Sequence, residues 1–126
     1  MSFDDKLAAS FPAFADMDPA YREITVLQLL SHTAGLPPLT DDKDLPPFLA
    51  AIQSAKGVTA QRIAIARKFL EMPPASKAGQ IAYSNLGFII AGAIAEARTG
   101  KSWEELIRVE IFAPLGIANA GLSRCT

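Results

Sequence analysis

The sequence is poor in the residues that build metal sites and disulfides. Its 126 residues include one His, His32, and one Cys, Cys125. A single Cys cannot close an internal disulfide, and one His with one Cys cannot supply a multi-histidine or cysteine-based metal centre. Glycine-rich phosphate-binding loops are also absent. The sequence therefore predicts neither a bound metal nor another cofactor.

Charge excess and long apolar runs are lacking as well. There are 12 Lys and Arg residues against 13 Asp and Glu residues, so the composition does not favour a nucleic-acid partner. The longest apolar run, residues 86–95, is about half as long as a transmembrane helix requires. The N-terminus is acidic and polar, so neither a membrane span nor a signal peptide is predicted.

The residues that are present indicate one helical domain. Half of them are apolar and a fifth are charged, which is typical of a folded protein. The abundance of Ala favours helix over strand. We therefore predict a single, mainly α domain over residues 1–126, with five or six helices and no strand. The predicted helices are an irregular one over 4–15, a short one after Thr25, and others over 46–56, from Thr59 to Pro73, 85–98 and 103–112.

Local capping patterns support two of these helices. Thr25 with Gln28, and Ser102 with Glu105, have the spacing of capping boxes, in which each partner satisfies a backbone N–H of the other. The helix over 85–98 is apolar on nearly every face and is therefore predicted to be buried. It needs cover on every side, and we expect part of that cover to come from chain outside this sequence.

Candidate catalytic residues are few. His32 follows Ser31 directly, and adjacent residues on a helix point about 100° apart. The two are therefore not expected to form a nucleophilic pair, and a structural role at the helix end is favoured for His32. The acids of loop 41–44 and the pair Glu104 and Glu105 are interpreted as solvated side chains.

The segment Tyr83-Ser84-Asn85 stands where a loop meets a helix. One interpretation is structural: Ser84 or Asn85 caps the helix and the Tyr83 ring packs beside it. The other is functional, with a phenol and a carboxamide projecting into one cleft. A phenol, with an ordinary pKa near 10, becomes a useful base only where nearby cations favour its ionised form. The residues alone leave both interpretations open.

Four blocks in a fixed order then show a family resemblance. Residues 24–37 read Ile-Thr-Val-Leu-Gln-Leu-Leu-Ser-His-Thr-Ala-Gly-Leu-Pro, and residues 79–88 read Gly-Gln-Ile-Ala-Tyr-Ser-Asn-Leu-Gly-Phe. A Thr-Gly pair at 99–100 and Pro-Leu-Gly at 114–116 follow. This order closely resembles the serine β-lactamase-like family, which includes class C β-lactamases, D-Ala-D-Ala carboxypeptidases and related esterases. The match corresponds to the helical subdomain of that α+β fold.

The resemblance implies acyl transfer. In the family, a Ser of a Ser-x-x-Lys motif attacks a carbonyl, and the Tyr of Tyr-x-Asn relays protons near two lysines. By position, Tyr83 is the candidate general base and Asn85 the orienting residue, while Ser84 is not the nucleophile. A small-molecule acyl substrate and a periplasmic or secreted parent protein are implied in the same way.

Two motifs of the family are missing from this chain. No Ser is followed by Lys three residues later, and no Lys-Thr-Gly triplet occurs. We therefore expect a fragment of a larger serine hydrolase, inactive alone, whose partner is the remainder of the catalytic domain. A homodimer of the isolated chain is a further expectation. The alternative is a non-catalytic interaction module of the same ancestry, in which the apolar helix over 86–95 meets a protein partner.

Overall fold

The computed structural model describes residues 1–122, so that Cys125 lies outside the described part. Its elements are α1 (Leu7–Ser10), a 3₁₀ turn (Pro19–Tyr21), α2 (Val26–Leu30), α3 (Leu45–Gln53), α4 (Val58–Leu70), α5 (Asn85–Thr99) and α6 (Trp103–Ile107), which continues as a π-helical turn over Arg108–Phe112. Extended pairing in this part of the chain is limited to one antiparallel bridge between Lys6 and Thr25. The predicted mainly α fold is confirmed.

The N-terminal segment is less helical than predicted. The helix expected over residues 4–15 is a single turn, Leu7–Ser10. After it, the rings of Phe11 and Phe14 stack with centroids 4.5 Å apart, and both side chains are buried. Pro12 lies between them and has no N–H to continue a helical ladder. Aromatic burial therefore takes precedence over helix extension here.

The capping predictions are confirmed in α2 and only half confirmed in α6. Thr25 Oγ1 accepts from the N–H of Gln28, and Gln28 Oε1 accepts from the N–H of Thr25 at 3.0 Å. Ser102 Oγ accepts from the N–H of Glu105 at 3.1 Å, but the described contacts include no return bond from the Glu105 side chain. The helix predicted after Thr59 begins instead at Val58.

Helix α5 lies at the centre of the domain and contacts α1, α2, α4 and α6. Four of its side chains, those of Leu86, Ile90, Ala93 and Ile94, are completely buried. The chain's own helices thus supply most of the cover that the apolar sequence of α5 requires. Its apolar surface is therefore largely unavailable to an outside partner, although Phe88 remains 58% exposed.

The backbones of α5 and α2 touch at one glycine. A Cβ atom added to Gly87 would lie 2.3 Å from the carbonyl oxygen of Leu29, well inside any real contact distance. The absence of a side chain at position 87 therefore allows α5 to rest directly on α2, whose Leu29 is itself buried.

Gly87→Ala is expected to lower the free energy of unfolding by about 2 kcal/mol, because the new methyl group forces the two backbones apart. Gly92→Ala is the matched control on the same helix. Its Cβ would meet Trp103 at 3.6 Å, an ordinary contact, and Ala is the better helix former by about 0.5–1 kcal/mol. Urea unfolding followed by circular dichroism measures both. If both substitutions change the free energy of unfolding equally, the close contact at Gly87 does not limit stability.

A charged cluster joins α4, α5 and α6. Arg62 pairs with Glu96 (Nη1 to Oε2, 2.9 Å) and with Glu104. The N–H of Trp103 and the hydroxyl of Thr59 also donate to Glu96 Oε2. Glu104 is therefore not the freely solvated acid that the sequence suggested. The hydrogen bond from Arg62 holds the pKa of the Glu104 carboxyl below its ordinary value.

Acid is expected to remove the contribution of Glu104 to stability. Because its pKa is lower in the folded chain, its ionised form stabilises the fold above the unfolded value of about 4.3. That contribution disappears as the pH falls through the folded value. Glu104→Gln should cost on the order of 0.5–1 kcal/mol at pH 7 and flatten the decline of stability between about pH 5 and 3. The exposed Glu105 provides the control, and an identical acid profile for both Gln variants would refute the assignment.

Candidate active site

Tyr83 and Asn85 form one exposed polar pair at the start of α5. The Tyr83 hydroxyl donates to Asn85 Oδ1 at 3.0 Å, and Tyr83 is 61% exposed. The intervening Ser84 has extended backbone, with φ −147° and ψ 127°. Successive side chains of an extended segment point to opposite sides. The spacing of two residues therefore places the phenol and the carboxamide together on the outer side.

Ser84 points inward and caps α5. Its Oγ accepts from the N–H of Leu86 at 3.2 Å and donates to the carbonyl of Pro37 at 2.6 Å. The residue is 3% exposed. The structural interpretation is therefore right for Ser84, whereas its two neighbours are free to face solvent.

Residues 32–38, which follow α2, form the support for this segment. The N–H groups of Gly79, Ala82 and Asn85 donate to the carbonyls of Thr33, His32 and Pro38 at 2.9, 2.8 and 3.2 Å respectively. The Ser84 N–H donates to His32 Nδ1 at 3.2 Å. Two sequence blocks about fifty residues apart thus form one local structure, joined mainly through the backbone.

His32 is more closely involved with the candidate residues than the sequence indicated. Its ring centroid lies 4.7 Å from that of Tyr83 and 5.7 Å from that of Phe88. Ser31 instead bonds Thr33, with their hydroxyl oxygens 3.0 Å apart. The expected absence of a Ser31–His32 pair agrees with this arrangement. His32 meets a segment about fifty residues later in the chain, and the spacing of residues within one helix does not indicate such a contact.

The other tyrosine, Tyr21, differs from Tyr83 in its burial and in its hydrogen bonding. Tyr21 is completely buried, and its hydroxyl has no hydrogen-bond partner among the described residues. Burial, with a smaller effect from the Asp18 carboxylate, raises the pKa of the Tyr21 phenol far above its ordinary value. Tyr21 is thus a core residue, whereas the phenol of Tyr83 is exposed.

Residues 1–122 contain no cluster of three or more His, Cys, Asp or Glu side chains that could hold a metal ion. No helix among them is long and apolar enough to cross a bilayer.

Known proteins resemble this chain along nearly its whole length. Penicillin-binding protein 4 of Amycolatopsis lactamdurans is 32% identical over 118 residues, which are 93% of this chain and 28% of that protein. Penicillin-binding protein 4* of Bacillus subtilis is 29% identical over 93% of this chain and 24% of its own length. The chain therefore spans about a quarter of the length of these curated relatives.

Solved structures show the same relationship. A D-stereospecific amidohydrolase from Streptomyces sp. superposes with a TM-score of 0.67 at 26% identity, covering 92% of this chain and 35% of that one. The family model described as Beta-lactamase matches residues 1–125, which include both blocks of the candidate site. On this evidence the chain belongs to the beta-lactamase family.

Proposed function

We propose that this chain is the helical part of a serine hydrolase, in which Tyr83 and Asn85 take part in acyl transfer. The observation that carries the proposal is the hydrogen-bonded Tyr83–Asn85 pair, exposed on a segment that residues 32–38 hold through both backbone and side chain. A phenol fixed in direction and open to solvent is suited to proton relay.

The chemistry we propose has two halves. In acylation, Tyr83 as phenolate accepts the hydroxyl proton of a serine nucleophile and passes it to the leaving group. In deacylation, it accepts a proton from water and returns it to the serine. Asn85 Oδ1 orients the protonated phenol, and the Asn85 amide N–H groups are available to the phenolate, a substrate carbonyl or a neighbouring side chain.

The proposed reaction needs groups that this chain does not supply. In the described residues, the hydrogen-bond partner of the Tyr83 hydroxyl is Asn85, and a phenol is a strong base at neutral pH only beside cations. We propose that the serine nucleophile and the activating lysines come from the remainder of the catalytic domain. That remainder would also cover the exposed Tyr83 and Phe88, a role that a second copy could take over in the isolated chain.

The substrate we propose is a small molecule with an amide, lactam or ester bond. The names of relatives support a substrate of this range: they include penicillin-binding proteins and a D-stereospecific amidohydrolase. The Tyr-Ser-Asn segment is common to these chemistries, and acyl transfer is the step that they share.

The isolated 126-residue chain is expected to be inactive, because a proton relay without a nucleophile cannot form an acyl-enzyme. The purified chain should hydrolyse nitrocefin and p-nitrophenyl acetate no faster than its Tyr83→Phe variant does in the same buffer. Hydrolysis at enzyme-like rates that Tyr83→Phe abolishes would show that the chain is catalytically sufficient, against the proposal.

A longer in-frame product of the encoding gene that contains Ser-x-x-Lys should be active. There, Tyr83→Phe should lower kcat/KM about 10²- to 10⁴-fold, the usual contribution of a general base. Tyr21→Phe is the matched control, since it removes a hydroxyl without a described partner and should leave kcat/KM unchanged. If Tyr83→Phe retains full activity, Tyr83 is not the base. A product without any Ser-x-x-Lys motif would favour the interaction-module alternative.

A further inference from the structure

His32 forms hydrogen bonds with both sequence neighbours of Tyr83. The carbonyl oxygen of His32 accepts from the N–H of Ala82 at 2.8 Å, and His32 Nδ1 accepts from the N–H of Ser84 at 3.2 Å. The residues before and after Tyr83 are thus bonded to the same partner. The His32 ring also lies against the Tyr83 ring, with centroids 4.7 Å apart.

An unusual backbone conformation accompanies this double contact. His32 has φ +60°, in the left-handed region that His, Asn and Asp enter more readily than other non-glycine residues. The chain turns sharply there, directly after α2. In this turned conformation, the carbonyl and the imidazole of one residue both reach the segment over 82–84.

We infer that His32 is a positioning residue for Tyr83. Because Nδ1 accepts a hydrogen bond, the neutral imidazole carries its proton on Nε2. The two hydrogen bonds fix the backbone on either side of Tyr83, and the imidazole face limits the space open to the phenol ring. The hydroxyl is thereby directed to Asn85. Only the catalytic consequence of this inference rests on the proposed function.

A direct proton-transfer role for His32 fits the geometry less well. Nδ1 is occupied by the Ser84 N–H, and Phe88 lies on the ring at 5.7 Å between centroids. The neighbouring hydroxyls of Ser31 and Thr33 bond each other. The contacts of His32 are therefore those of a support for the Tyr83 segment.

The hydrogen bond can be tested in the unaltered chain by NMR. In uniformly ¹⁵N-labelled protein, a scalar coupling across the hydrogen bond should connect the Ser84 amide nitrogen to His32 Nδ1, and the ¹⁵N shifts should identify the Nε2–H tautomer. A proton found on Nδ1, or no coupling in a well-resolved spectrum, would overturn the inference without any mutation.

Variants of His32 distinguish the contribution of its imidazole ring from that of its backbone carbonyl. His32→Gly keeps the left-handed conformation at no steric cost and removes only the side chain. Hydrogen exchange of the Ser84 amide should become roughly tenfold faster, as expected for the loss of one net hydrogen bond, and the Tyr83 ring resonances should shift. The Ala82 amide, bonded to the carbonyl at position 32, and the Tyr21 ring should change little. Unchanged Ser84 exchange and Tyr83 shifts would refute the positioning role.

A second variant covers the case in which His32→Gly unfolds. His32→Asn tolerates the left-handed backbone and offers a carbonyl acceptor in place of Nδ1, so Ser84 exchange should stay close to that of the unaltered chain while the Tyr83 ring resonances shift. In an active in-frame product, both variants should lower kcat with little change in KM. If the NMR results hold while Tyr83→Phe remains active, the proposed function fails and the positioning role of His32 stands.

Discussion

The close contact between the Leu29 carbonyl and Gly87 is the constraint on which the site depends. It sets the beginning of α5 directly against the end of α2. Residues 82–85 stand less than two turns before Gly87, and residues 32–38 come shortly after Leu29. Seating one helix on the other therefore brings the two segments within hydrogen-bonding distance. The lack of a side chain at Gly87 thus allows the segment of Tyr83 to meet residues 32–38.

The candidate site combines an inner and an outer layer along three residues. Ser84 faces inward, where its hydroxyl is used twice, and Tyr83 and Asn85 face outward. The inner residue caps the helix, and the two outer residues form the exposed pair. The structural interpretation of the Tyr-Ser-Asn segment is therefore confirmed for Ser84, while the functional interpretation of Tyr83 and Asn85 stays a prediction.

Features encoded locally could be predicted from the sequence, and features that depend on distant neighbours could not. The Thr25–Gln28 capping box and the buried α5 follow from spacing within a few turns, and both are confirmed. The pairing of Glu104 with Arg62 joins residues far apart in sequence, and so does the bond from Ser84 to His32. The hydrophobic periodicity of the sequence does not indicate such long-range contacts. The shortened N-terminal helix has a different, local origin, because Pro12 interrupts the helical hydrogen bonds and the stacking of Phe11 on Phe14 competes with helix extension.

Two consecutive prolines supply the carbonyls that hold Ser84 and Asn85. A proline ring fixes φ and leaves the residue few conformations even in the unfolded chain. Ordering this side of the segment therefore costs little conformational entropy. Under the proposed function, the phenol and carboxamide would be held in place before a ligand arrives, and little of the ligand's binding free energy would be spent on organising them.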